Sequence, residues 1–201
     1  MNWDWFLERI QNFRKCEYIY LIFLILVNMF EIIEKFNKKI KNLEETIPYL
    51  KGDVNCSALT LTTILEILGI PELQSFYFNN LALPLAGGFG GFKSEKGWNG
   101  PCGAVCGGCA AIGIIMGGQK KLKFRDHMKV YQKAAIYAHN FEKEFGSVAC
   151  KDLCGTDFSN LNSINLYMEN KTWEKQCYKY VIFGIDQVKK LTSLELKKRW
   201  Q

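Results

Sequence analysis

Cysteine is the residue type in this chain whose number and spacing could do chemistry. Thiolates bind soft metal ions and exchange electrons. Several of them in one fold therefore indicate a metal centre, a disulfide scaffold or thiol redox chemistry. Cys16 stands alone near the start and is best explained as a small buried hydrophobe. The other seven cysteines form three groups: Cys56; Cys102, Cys106 and Cys109; and Cys150, Cys154 and Cys177.

The middle group lies in a glycine-rich stretch, GPCGAVCGGCAAIGIIMGG. On a helix, Cys102, Cys106 and Cys109 are spaced i, i+4 and i+7, so we expect their thiols to project from one face. Cys150 and Cys154 repeat the four-residue spacing. Placement at the start of a helix favours thiolate over thiol because of the helix dipole. A lowered thiol pKa serves metal binding and thiol exchange equally, so the spacing leaves both open.

Three kinds of chemistry remain open from the residues alone, beside the simple burial of small hydrophobic thiols. An iron–sulfur or other metal centre is the first. The second is thiol–disulfide exchange by the CGGC pair, Cys106 and Cys109, or by Cys102 with one of them, although that motif normally follows a strand. The third is binding of zinc or copper without redox turnover. No catalytic residue is assigned, and whether the protein is an enzyme stays open.

Helical periodicity runs through nearly the whole chain, and no alternating strand pattern of useful length is present. The sequence therefore predicts an all-α fold: a single compact domain of about six helices with an N-terminal helical extension. The domain would cover residues 51–201, and the extension residues 1–50. Four glycines in residues 86–92 predict a loop there. The clearest helices are predicted over 72–83, 102–116, 124–145 and 173–196.

The extension carries a strongly apolar run over residues 18–30. A bilayer span needs about 20 residues, so this run favours a buried or partner-binding helix, with a membrane anchor as the alternative. No cleavage site of a signal peptide follows it, and we expect a cytoplasmic protein with reduced thiols. The net charge of +6 is spread over helical stretches. That distribution favours solvated helix faces over a nucleic-acid interface.

The ordered motifs of residues 53–188 resemble the C-GCAxxG-C-C proteins, which are small and described as redox-active. The CGAxxG element matches Cys102, Gly103, Ala104 and Gly107. A related helical domain occurs in split-Soret cytochromes, where four cysteines hold an iron centre. The motifs, in chain order, are VNCSALTLTTILEILGI, AGGFGGF, CGAVCGGCAAIG, FGSVACKDLCGTD and KQCYKYV.

The resemblance implies electron transfer or redox sensing through an iron–sulfur cluster, of which [2Fe–2S] is one form, with an unidentified redox partner. It also leaves a homodimer open. Family members usually carry Thr or Ser at the position of Cys106, and many carry Cys at that of Thr156. Cys106, Cys109 and Cys154 are therefore additional candidates. The implied metal ligands are Cys56, Cys102, Cys150 and Cys177.

Such a ligand set requires four distant segments to converge, and a metal–thiolate site offsets the chain entropy lost in doing so. A cluster would also explain the glycine-rich loop, because backbone N–H groups could donate hydrogen bonds to its sulfurs and raise the reduction potential. The predicted donors are Gly87, Gly88, Gly90 and Gly91.

Overall fold

The fold is described from a computed structural model, which covers residues 31–46, 55–70, 72–118 and 121–200. In this part of the chain the structure is all-α, with two isolated β-bridges and no strand. It contains ten helices, so the prediction of about six was too low. They are α1 (31–46), α2 (Cys56–Ile67), α3 (Glu72–Ala82), α4 (Gly87–Gly91), α5 (Gly103–Gly117), α6 (Phe124–Phe145), α7 (Cys150–Cys154), α8 (Leu161–Glu169), α9 (Tyr178–Leu191) and α10 (Ser193–Arg199).

The higher number has two causes. Several elements are single turns that a periodicity argument cannot resolve, among them α4 and α7. The long helix predicted over 173–196 is also interrupted. It begins as a π-helical turn, Trp173–Cys177, and breaks at Thr192, whose φ of −110° and ψ of 12° leave the helical region. The Thr192 hydroxyl, fully buried, donates to the carbonyl of Val188, which satisfies the hydroxyl at this break.

The core lies where α2, α5 and α9 pack together, and Ile64, Ile112 and Ile185 are fully buried there. Helix α2 begins at Cys56, because the Asn55 side chain caps it by accepting the N–H of Ala58 at 2.9 Å. Helix α1 joins the same core through Phe36, which is fully buried. The extension and the core are therefore in contact.

Close backbone approach explains why α5 tolerates so much glycine. A Cβ on Gly107 would stand 2.5 Å from the carbonyl oxygen of Ser57 in α2, and one on Gly108 would stand 2.1 Å from the hydroxyl of Tyr137 in α6. That hydroxyl is buried and donates to the Ala104 carbonyl at 3.0 Å. The glycines of α5 therefore make room for the backbone of α2 on one side and for the Tyr137 side chain on another.

The glycine-rich segment predicted as a loop is instead one turn of left-handed helix, α4. All five of its residues have positive φ, from 55° at Phe89 to 86° at Gly91. Glycine adopts this conformation without a steric penalty, whereas a residue with a Cβ does so rarely. Contacts also exclude side chains, since a Cβ on Gly91 would stand 2.2 Å from the amide nitrogen of Ser159. The turn therefore needs glycine both for its handedness and for its packing.

None of the helices in the described ranges is long and apolar enough to cross a membrane. The apolar run over residues 18–30, Cys16 and the predicted boundary at residue 50 lie outside those ranges. Their roles stay predictions.

Candidate thiol and metal site

Five of the seven described cysteines lie near the starts of α2, α5, α7 and α9. They form two sets, a pair and a trio, each held by hydrogen bonds between its own thiols. All seven are free thiols. Cys56 and Cys102 form a hydrogen-bonded pair. Cys154 is hydrogen-bonded to both Cys150 and Cys177, which makes a trio. The two sets are near enough to interact electrostatically, since the charge of Cys177 acts on Cys102.

A short backbone connection brings two of these segments together. The N–H of Cys102 donates to the Val148 carbonyl at 2.7 Å, and the N–H of Cys150 donates to the Gly100 carbonyl at 3.0 Å. Between them Pro101 and Ala149 form an isolated antiparallel bridge. The starts of α5 and α7 are thereby fixed side by side.

Cys56 occupies the first position of α2, where its sulfur meets unpaired N–H groups. It receives backbone hydrogen bonds from Ser57, Gly103 and Gly87. Together with the hydrogen bond from Cys102, the largest contribution, they lower the pKa of the Cys56 thiol to about 7. The Cys102 pKa is raised in turn, mainly by that same hydrogen bond and then by burial. The hydrogen bond therefore favours the thiolate on Cys56 and the neutral thiol on Cys102.

The trio is arranged around Cys154. Its sulfur lies 3.8 Å from that of Cys150, one helical turn earlier. Hydrogen bonds from Cys150 and Cys177 lower the Cys154 pKa, and the pKa values of those two donors rise chiefly for the same reason. The backbone N–H of Thr156 also donates to the Cys154 sulfur, and the Thr156 hydroxyl lies between that sulfur and the Cys154 carbonyl, to which it donates at 3.4 Å. The hydroxyl of Tyr167 donates to Cys177 at 3.6 Å. Within the trio, the thiolate is therefore most favoured on the central sulfur of Cys154.

Aromatic rings cover this end of the protein around the trio, and a cleft opens beside it. The rings belong to Phe158, Tyr167, Trp173 and Tyr180. The cleft is small and is bordered by Gly88, Gly100, Cys150, Lys151, Thr156 and Asp157. Of the clustered thiols, only Cys150 borders the cleft.

The remaining two described cysteines, Cys106 and Cys109, lie further along α5, and Cys106 is near enough to Cys56 for their charges to interact. Burial raises the pKa of Cys106 to about 12 and that of Cys109 to about 11. A thiol with such a pKa is almost fully protonated at neutral pH, and the thiolate is the nucleophile. The arrangement therefore works against thiol exchange by the CGGC pair. The spacing predicted that Cys102, Cys106 and Cys109 project from one face of a helix. Cys102 instead lies at the N-cap of α5 and is hydrogen-bonded to Cys56.

The four predicted glycine donors have different surroundings. The N–H of Gly87 reaches Cys56, and a Cβ on Gly88 would stand 3.1 Å from the Cβ of Cys150. Gly91 packs against Ser159, and a Cβ on Gly90 would meet nothing within 4 Å. Binding of a cofactor by these glycines stays a prediction, with Gly87 and Gly88 placed at the thiols.

Sequence reasoning missed the two side-chain hydroxyls that reach the thiols, those of Thr156 and Tyr167. Thr156 was considered only as a position where relatives carry cysteine. Tyr167 lies on α8, in an Asn-rich segment that gave no signal beyond a short helix. Asn160 starts that helix by accepting the N–H groups of Asn162 and Ser163. The cap could have located α8, but only the fold reveals that Tyr167 faces Cys177.

The donor set suits a soft metal, although the thiols do not surround a metal position as they stand. Over the described ranges, no three or more His, Cys, Asp or Glu side chains are placed so that they could hold an ion. The thiols instead hydrogen-bond to one another. A pair and a trio of neighbouring thiols, with backbone N–H donors at Cys56, have the soft donor atoms that iron, zinc and copper(I) prefer.

Comparison with known proteins agrees with this chemistry at the level of the family. The family described as "Putative redox-active protein (C_GCAxxG_C_C)" matches residues 54–191. The match covers more than half of the chain and includes all five clustered thiols, so the protein belongs to this family. No curated protein and no solved structure matches the chain.

Proposed function

We propose that the protein is an electron-transfer or redox-sensing protein that binds an iron–sulfur centre through Cys56, Cys102, Cys150 and Cys177. One observation supports the proposal: the cysteines at the starts of α2, α5 and α7 and at the junction before α9 are near enough for their charges to act on one another. Cysteine thiolates are the usual ligands of such clusters.

Electrostatics supports a cation at this position. The pKa values of the Cys102, Cys150 and Cys177 thiols are raised first by a hydrogen bond to a neighbouring sulfur, then by burial, and further by the charges of nearby thiolates. A bound metal reverses these shifts, because it stabilises each thiolate and releases its proton. Without a bound cation, the protein stabilises only some of the five clustered thiols as thiolates.

The surrounding peptide groups suit a negatively charged centre. Cys56, Cys102 and Cys150 each lie at the N-terminal end of a helix or helical turn, where unpaired N–H groups point outward. The N–H groups that reach Cys56 and the hydroxyl of Tyr167 at Cys177 would remain available to a cluster's sulfur ligands. Hydrogen bonds of this kind tune the reduction potential of a bound cluster.

Spectra and elemental analysis of the anaerobically purified full-length chain test the proposal. We expect iron and acid-labile sulfide in the protein, visible absorbance that bleaches on reduction, and an EPR signal in one redox state. A colourless chain that takes up neither iron nor sulfide during reconstitution would contradict it. Zinc or copper in place of iron would support the alternative of metal binding without redox turnover, since both ions accept the same thiolates.

A further inference from the structure

The two residues that flank Cys56 each carry a buried hydrogen-bond donor that the fold does not use. Over the described ranges, the buried side-chain donors without a partner are the Nδ2 of Asn55 and the hydroxyl of Ser57. Folded proteins leave few buried polar groups unpaired, so two such groups beside one thiol require an explanation. We propose that both side chains donate hydrogen bonds to the inorganic sulfide of an iron–sulfur centre bound at Cys56. The inference rests on the proposed function.

Ser57 is held at the thiols by its own backbone. Its N–H donates to the sulfur of Cys56. A Cβ on Gly103 would stand 3.0 Å from the Ser57 nitrogen and 2.4 Å from that sulfur. The Cα–Cβ bond of a helical residue tilts toward the N-terminus, and Ser57 belongs to the first turn of α2. Its hydroxyl therefore lies at the end of the helix that carries Cys56, and the side chain is fully buried there.

The hydroxyl of Ser57 lacks the bond that satisfies other hydroxyls of the same helix. Thr60 and Thr62 donate to the carbonyls of Cys56 and Ala58, four residues earlier, at 2.8 Å. Because α2 begins at Cys56, the carbonyl four residues before Ser57 lies outside the helix. The Ser57 hydroxyl is therefore left for a partner other than its own helix.

Asn55 is oriented by the cap that it provides. Its Oδ1 accepts the N–H of Ala58 at 2.9 Å, which places the carboxamide over the first turn of α2. The oxygen therefore serves the fold, whereas the buried Nδ2 has two N–H groups and no partner. An amide nitrogen can only donate, so the group that it binds must carry an acceptor atom.

Inorganic sulfide suits both donors better than the other candidates do. The Cys56 sulfur already receives hydrogen bonds from the Cys102 thiol and from three backbone N–H groups, which fill its capacity as an acceptor. A zinc or copper ion held by thiolates brings no acceptor atom of its own. Cluster sulfide is an acceptor, and hydrogen bonds to cluster sulfurs tune the reduction potential. The two side chains therefore favour an iron–sulfur centre over a bare ion.

Two ligand loads distinguish this role from a purely structural one. Ser57→Ala removes one donor, and Asn55→Ser removes the other while it keeps an acceptor for the cap. The full-length wild-type chain and both variants are reconstituted anaerobically with iron and sulfide, and the centre is then challenged with EDTA. The metal-free chains are separately titrated with Zn²⁺ alone. We expect both variants to hold the iron–sulfide centre roughly 10–100-fold less tightly and to bind Zn²⁺ with unchanged affinity.

Urea denaturation of the metal-free chains gives a readout that needs no metal. We expect the midpoint urea concentration of Ser57→Ala to equal or exceed that of the wild type, because its hydroxyl has no hydrogen bond to lose. Thr60→Val is the matched control, since it removes a fully buried hydroxyl of the same helix that does have a partner. It should lower the midpoint and hold the iron–sulfide centre as tightly as the wild type.

The same measurements separate failure of the inference from failure of the proposed function. Equal losses of iron–sulfide and zinc binding would overturn the inference, because the two donors would then act on the thiols or on the fold. It would also be overturned if both variants held the centre like the wild type, or if metal-free Ser57→Ala had a lower urea midpoint. A wild-type chain that never takes up iron and sulfide would overturn the proposed function, and the inference with it.

Discussion

The sulfur of Cys56 lies directly over Gly103, so closely that a Cβ on Gly103 would stand 2.4 Å from it. Gly103→Ala must therefore displace the sulfur or separate α2 from α5. We expect the substitution to lower the free energy of unfolding by about 1–3 kcal/mol, the usual effect of overpacking a tight site. Urea denaturation followed by circular dichroism measures the change.

Gly113→Ala on the same helix is the matched control. A Cβ at Gly113 would meet nothing within 4 Å. Replacing glycine by alanine inside a helix stabilises it by roughly 0.5–1 kcal/mol. The packing account would be wrong if the two substitutions changed the unfolding free energy alike.

The thiols of Cys106 and Cys109 should be nearly inert at neutral pH. Their pKa values, about 12 and 11, are raised chiefly by burial. We expect iodoacetamide to modify both much more slowly than free cysteine at pH 8, where a thiol with a pKa near 8.5 is substantially ionised. Timed alkylation with peptide mass spectrometry measures each rate. Equal labelling of the folded and the urea-unfolded chain would contradict this environment.

The same two thiols link stability to pH. Their folded pKa values lie above the value of 9.0 that applies without the fold, so the folded state keeps protons that the unfolded state has lost. The contribution of the two neutral thiols to the free energy of unfolding is therefore complete below pH 9, and it is lost progressively as the pH rises towards 12. We expect Cys109→Ala to reduce the fall in unfolding free energy between pH 8 and pH 10.5, as measured by urea denaturation at each pH.

Tyr167 should tune the proposed centre without holding it. Its hydroxyl donates to the sulfur of Cys177 at 3.6 Å, and a hydrogen bond to a ligating sulfur raises the reduction potential of a cluster. We expect Tyr167→Phe to retain iron and to shift the midpoint potential to a more negative value. Tyr131→Phe is the control, since that exposed ring lies against His127 rather than against a thiol. Equal potentials for the two variants in a redox titration would remove Tyr167 from the tuning role.

Asn55 holds the first turn of α2, and with it Cys56, by accepting the N–H of Ala58 at 2.9 Å. Asn55→Ala should lower the free energy of unfolding by about 0.5–2 kcal/mol because the cap is lost. Asn55→Ser, which restores a side-chain acceptor, should recover most of that loss. Thermal unfolding of the three proteins makes the comparison. A serine variant no more stable than the alanine variant would show that the cap is not what holds this turn.

Local sequence signals could predict the long elements of the fold and not the joints between them. Helix α6 runs over Phe124–Phe145, as predicted, because its apolar face is regular and Gly146 ends it with φ of 81°. The break at Thr192 has no such signal, since threonine is tolerated inside helices. The left-handed turn α4 could not be predicted in full either. Its glycine content indicates a departure from regular structure, but its handedness depends on contacts with distant residues such as Ser159.

The candidate site was predictable as a set of residues, and not as an arrangement. Motif order pointed to the cysteines that meet, and the spacing of Cys150 and Cys154 placed them one helical turn apart. The bridge between Pro101 and Ala149, which brings Cys102 to Cys150, joins distant parts of the chain through backbone groups that carry no sequence signature. Cys102 likewise differs from Cys106 and Cys109 because α5 begins one residue after it, so that it is the N-cap while the other two lie within the helix.

Metal stoichiometry in a series of single cysteine-to-serine variants tests the central claim most directly. Iron and sulfide are measured after anaerobic reconstitution of the full-length chain. The account predicts that replacing Cys56, Cys102, Cys150 or Cys177 strongly reduces bound iron, and that replacing Cys106 or Cys109 leaves it near the wild-type level. Iron that is retained in all four of the first variants, or lost equally in all six, would contradict the claim that these four thiols form one metal-binding set.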